Sequence, residues 1–184
     1  MEKVIFDLNH HTRGKHIELK EYTHILAYHA CRPVSIQSYL DNGIIPFTKQ
    51  TAIADAIHKL GSIRSECSII NELEKEWKDS CYETQRVWLA VNKDMFFQPD
   101  SDYYLIYGSE LLNTLSVRLG CQKQLKKMGI PTIFYCTIPL NDISQEWIDS
   151  VEKSINDNDI EDISICVPKV LAENIVSWEH IRNI

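Results

Sequence analysis

Glycine is scarce in this chain: six in 184 residues, none spaced as the glycine-rich turn that cradles a dinucleotide or the loop that wraps a nucleotide triphosphate. No GxSxG nucleophile elbow and no HExxH zinc helix occurs, so serine-hydrolase and zincin templates fail. The six cysteines stand at 31, 67, 81, 121, 136 and 166, and no two form the CxxC pair of a zinc knuckle or a thioredoxin-like centre. No apolar run reaches the ~18 residues that a membrane helix needs. The first residues lack the basic-then-apolar layout of a secretory leader. The expectation is a cytoplasmic chain with reduced, mostly buried thiols and no membrane contact. Internal repeats and low-complexity stretches are absent as well.

Hydrophobic residues make up 44% of the chain, enough for one domain over 1–184 with a real core. The net charge of −7 argues against a dedicated, tight nucleic-acid binder, though not against an enzyme that touches nucleic acid briefly. The basic cluster Lys123, Lys126 and Lys127 reads as complementing the dipole of a helix end. Residues 1–20 are polar and rich in histidine and lysine, which reads as a flexible or partner-binding arm. The adjacent His10 and His11 have no third ligand at useful spacing, so no metal is expected.

Tyr22 to Ala30 alternates as a strand, and Pro33 ends it. Ser35 then looks like the cap of a short helix through Leu40 that stops at Gly43. Thr51–Leu60 and Ile69–Lys78 carry apolar residues at spacings of three and four, the mark of helices with one buried stripe. Arg86–Val91 and Tyr103–Tyr107 read as strands, the second broken by Gly108. Ser109 can cap a helix running to Gly120, and another turn follows to Met128. Pro131–Ile138 is a strand, and Asp142 with Gln145 forms a candidate capping box for a helix burying Val151 and Ile155. Asp162–Val167 and Asn174–Trp178 close the chain as strands. The interspersed order predicts a mixed α+β fold, a split β-sheet core with flanking helices.

Three places carry chemistry. His29, at a strand end, can donate to a sugar hydroxyl, and Arg32 can hold a phosphate in fork geometry. In Tyr104-Leu105-Ile106-Tyr107-Gly108-Ser109-Glu110, the helix start can receive an anion, and Glu110 is either a helix-end charge or a carboxylate facing a cleft. Asp162 would start a strand on its polar face, beside Ser164 and Cys166. A Cys31–His29 nucleophile pair is disfavoured. Residues two apart in a strand are ~6–7 Å apart, too far for direct proton transfer.

Read in order, these pieces resemble the ADP-ribosyltransferase superfamily from about residue 24 to 180. Tyr28-His29-Ala30-Cys31-Arg32 followed by Ser35 to Ile44 is similar to the family's histidine strand and the short helix ending in Asn-Gly. Tyr103–Tyr107, or alternatively Val87-Trp88-Leu89-Ala90, resembles its aromatic strand, and Ile133–Leu140 its next strand. Asp162–Pro168 with Glu173-Asn174-Ile175 looks like its last carboxylate strand and partner. Ala30 stands where the family usually has glycine, and Asp162 would be a shortened form of its glutamate. The resemblance implies mono-ADP-ribosyl transfer from NAD as co-substrate, without a metal, to a nucleic-acid or protein acceptor. It also implies a toxin-type enzyme held in check by an antitoxin or other inhibitor protein. Glu110 or Asp162 would be the catalytic carboxylate. His29, Arg32, Tyr104, Tyr107 and Ser109 would hold NAD. The alternatives are an NAD glycohydrolase, with water as acceptor, and an inactive fold that binds a partner.

Overall fold

In the computed structural model, which describes residues 2–79, 86–182 and 184, the centre of the molecule is the strand His24–Cys31. Its alternation is apolar on both faces, so it can be covered from both sides. In chain order the strands are β1 (Ile5–Phe6), β2 (His24–Cys31), β3 (Val87–Ala90), β4 (Thr132–Pro139), β5 (Ser164–Val167) and β6 (Ile175–His180). The helices are α1 (Gln37–Asn42), α2 (Lys49–Leu60), α3 (Glu66–Asp79), α4 (Tyr103–Tyr107), α5 (Glu110–Arg118), α6 (Gln122–Leu125) and α7 (Gln145–Asn156). The expected mixed α+β class holds. The sheet is one continuous path, β5-β3-β2-β4-β6, with β1 parallel to the start of β2, and not the split core expected from sequence. The β2–β4 pairing sets the register, from His24 opposite Pro139 to Cys31 opposite Thr132. Residue Cys81 and the neighbouring positions 80–85 lie outside the described residues.

One face of the sheet presents Ile25, Ala27, Phe134, Cys136 and Leu89 to Val151 and Ile155 of α7. Tyr28, Ala30 and Ile133 on the other face meet Leu105 of α4 and Phe96. A separate helical core forms where Ala56 and Leu60 of α2, Ile69 and Leu73 of α3, and Leu112 and Leu115 of α5 converge. Each buried Leu, Ile, Val or Phe side chain among these contributes ~1.5–3 kcal/mol of transfer free energy. Reciprocal bonds between Thr48 and Thr51 cap α2.

Four expectations fail for physical reasons. The described residues up to 20 are tied to the fold and do not form a free arm: Phe6, Ile17 and Leu19 are buried in the main core. The Ile17 amide donates to Asn156 Oδ1 at 2.9 Å, and the Leu19 amide donates to Glu152. Tyr103–Tyr107 is a helix, not a strand. Only Leu105 of its five residues is fully buried, and Gly108 (φ +97°) closes it with its N–H on the Tyr103 carbonyl. A short apolar run does not distinguish strand from helix by periodicity. Asp142 ends a tight turn instead of capping α7; Ser144 takes the cap position, and Gln145 donates to Asp149. Asp162 lies in an exposed turn, because β5 begins only at Ser164.

Candidate functional site

The C-terminal end of β2 opens into a cavity of about 1090 Å³, at the upper end of ligand-sized clefts. Its walls come from four directions. His29 and Cys31 project from β2, and Tyr39 and Gly43 come from α1 and its cap. Asp55 and Lys59 face it from α2, and Tyr104, Ser109 and Glu110 from the α4–α5 corner. Trp88, Trp147 and Arg86 stand at the mouth, the two indoles edge-to-face with ring centroids 5.2 Å apart.

Local sequence explains each position. Gly43 ends α1 at φ +79°, so close to the chain that a Cβ there would meet the Val170 carbonyl oxygen at 2.0 Å. Only glycine allows the Ile44–Val170 bridge that sets this wall. Tyr39 stacks on Phe134, centroids 4.8 Å apart, and its hydroxyl interacts with the Cys31 thiol. Burial pushes that thiol up to about 12, so Cys31 is protonated and inert near neutral pH. Gly108 breaks α4, and Ser109 accepts the Leu112 amide at 3.2 Å, starting α5 inside the cavity wall. The amides of Glu110 and Leu111, at the first turn, have no partner within the helix.

His29 is half-buried, and its Nδ1 lies 3.3 Å from the Trp88 carbonyl oxygen. A carbonyl only accepts, so Nδ1 carries the hydrogen and Nε2 is the bare acceptor of the neutral ring. Burial lowers its pKa below the ordinary value, partly offset by that hydrogen bond. A hydroxyl reaching this ring would therefore donate to Nε2, the reverse of the direction the sequence suggests. Tyr104 packs edge-to-face on Phe96 at 5.8 Å. Its phenol is raised, mainly by burial and in part by the charge of Glu110.

Of the residues singled out in the sequence, His29, Tyr104, Ser109 and Glu110 share this cavity. Arg32 borders it, but its head is engaged elsewhere. Nε donates to the Met128 carbonyl (3.0 Å), Nη1 to Leu105 (3.1 Å), and Nη2 to Lys126 and Gly129. It fastens helix ends and is not free to fork a phosphate. Tyr107 lies outside the cavity, packed on the helical core with Lys126 Nζ 5.3 Å from its ring centre. Asp162 is outside too. It stands four residues from the lining Cys166, about 13 Å along an extended chain.

Sequence reading missed Lys59 and Asp55. Lys59 continues the buried Ala52–Ala56 stripe of α2, so a lysine at that position of the periodicity was the available signal. Its side chain is 9% exposed, and Nζ pairs with Asp55 Oδ2 at 2.9 Å. Among the described residues, no group of three or more His, Cys, Asp or Glu side chains is placed to hold a metal ion. No helix of the described residues is long and apolar enough to cross a membrane. The chain matches no protein-family model, no curated protein and no solved structure.

Proposed function

We propose that this cavity binds NAD and that the chain transfers its ADP-ribose to a nucleic-acid or protein acceptor. The observation that carries the reading is that His29 and Glu110, far apart in the chain, line one cleft of dinucleotide size. Breaking the nicotinamide–ribose bond builds positive charge on the sugar ring. A carboxylate held beside it stabilises that charge more in the transition state than in the ground state. Glu110 supplies the carboxylate, and with Asp162 outside the cavity it is the better placed of the two originally considered. His29 Nε2 accepts a hydroxyl hydrogen of the nicotinamide ribose and fixes the sugar. Tyr104 offers the nicotinamide an aromatic wall. The indoles of Trp88 and Trp147 at the mouth give the acceptor a flat apolar edge to approach. As with related chemistry in small toxins, an inhibitor protein that plugs this mouth would silence the enzyme.

The test is release of nicotinamide from NAD by the purified chain, with mass analysis of nucleic acid and protein for an added ADP-ribose. Glu110→Gln should lower the rate by about 100-fold or more, the usual cost of removing one transition-state stabiliser. Free ADP-ribose without any adduct would make the chain a glycohydrolase. No nicotinamide release from the wild type, in the presence of lysate acceptors, would refute both.

A further inference from the structure

With Arg32 committed to the fold, the cavity needs another group to receive a negatively charged ligand. We infer that Lys59 is that group, and that the subsite it forms takes the diphosphate of a dinucleotide-type ligand. The inference rests on the cavity being the ligand site proposed above, but not on the transfer reaction.

An Asp and a Lys four residues apart on a helix ordinarily form a solvated surface pair. This pair is different. The Lys59 side chain is nine-tenths buried and lines the cavity, while its partner Asp55 is the more exposed of the two. An ammonium carries three N–H donors, and the Asp55 carboxylate at 2.9 Å engages one of them. The groups nearest in the same wall do not neutralise it. Cys31 is a protonated thiol, and the Tyr39 hydroxyl, which interacts with that thiol, is neutral too. Asp55 already balances its charge, but the two donors left over at the cavity wall can be completed by an anionic ligand. The start of α5 lines the same cavity, and its first-turn amides, without partners in the helix, add positive potential there. Arg86, a further cation at the cavity, is exposed and interacts with Cys166. It suits the entry path better than the bound state.

Calorimetric titration with inorganic pyrophosphate, AMP and ADP-ribose tests this on the full chain. The wild type should bind pyrophosphate and ADP-ribose, and AMP more weakly. Lys59→Met alone would strand the Asp55 carboxylate, so the variant is Asp55→Asn with Lys59→Met, which removes both charges. Folding is checked by thermal unfolding. Its affinity for ADP-ribose should fall about 10–100-fold, the loss of one or two charge-assisted hydrogen bonds. Lys59→Arg should retain binding within a few-fold. Asp55→Asn alone frees the ammonium of its competitor, so diphosphate binding should tighten; a merely structural pair would not show this. A folded double variant that binds ADP-ribose as the wild type does overturns the inference. So does a wild type that binds no diphosphate probe. If the double variant does not fold, Asp55→Asn decides, and unchanged or weaker binding there overturns the inference. Lys59-dependent binding without any nicotinamide release would instead refute the transfer reaction and leave the subsite standing.

Discussion

Replacing Arg32 with alanine separates a structural cation from a ligand-binding one. The residue is 9% exposed, and four of the five N–H donors of a guanidinium are engaged by carbonyls of Leu105, Lys126, Met128 and Gly129. The Leu105 and Lys126 carbonyls belong to the ends of α4 and α6, where a positive charge is favourable, and those of Met128 and Gly129 to the turn that follows α6. Hydrogen bonds to a charged group are worth ~1.5–3 kcal/mol each, but four on one side chain do not add, and carbonyls near the surface recover water. A net loss of about 4 kcal/mol is the expected cost of Arg32→Ala. In a chain of this size that is about 8–16 °C in melting temperature. Arg32→Lys keeps the charge but has a single nitrogen, which cannot span carbonyls on two elements, so about half the loss should remain. Urea unfolding followed by fluorescence of the four tryptophans measures both. The reasoning is refuted if Arg32→Ala unfolds within about 1 kcal/mol of the wild type while losing affinity for ADP-ribose. That result would return Arg32 to the phosphate-fork role its position first suggested.

Two further outcomes follow from local geometry. Gly43→Ala should destabilise by about 3 kcal/mol or more, because its Cβ would overlap the Val170 carbonyl in a left-handed backbone; denaturant midpoints report it. Burial holds the His29 pKa below its ordinary 6.5, so as pH falls below that value the unfolded chain takes a proton the folded chain does not. Stability is complete above it and declines below, by at most ~1.4 kcal/mol per pH unit, and His29→Asn should flatten this limb in urea titrations.

The elements legible in the sequence are those whose pattern is local and long. β2 and β4 are largely apolar runs of eight residues each, and α2, α3 and α5 carry stripes that no strand could use. Gly43 and Ser109 mark a helix end and a helix start where expected. Tyr103–Tyr107 failed because three tyrosines give a strong strand preference to a segment too short to show its period. Burial of Leu105 against the sheet, with Gly108 as the stop, decides for helix. Asp162 failed by a shift of two residues: alternation placed it on a polar face, but the ladder ends at Ser164, with only the Ile163 carbonyl reached beyond it.

The site shows a different kind of limit. His29, Ser109 and Glu110 could be singled out because each stands where a regular element stops, and element ends are where polar groups reach a cleft. Whether a cation there is available to a ligand depends on how many of its donors the fold has already engaged, and that is a non-local quantity. Arg32 meets carbonyls more than seventy residues away in the chain, so no neighbouring residue signals its engagement. Lys59 shows its burial in its own helix, through the stripe it shares with Ala52 and Ala56, and its one carboxylate partner four residues back. A buried-stripe lysine with a single local partner thus has donors to offer, whereas a strand-end arginine beside two helix termini does not.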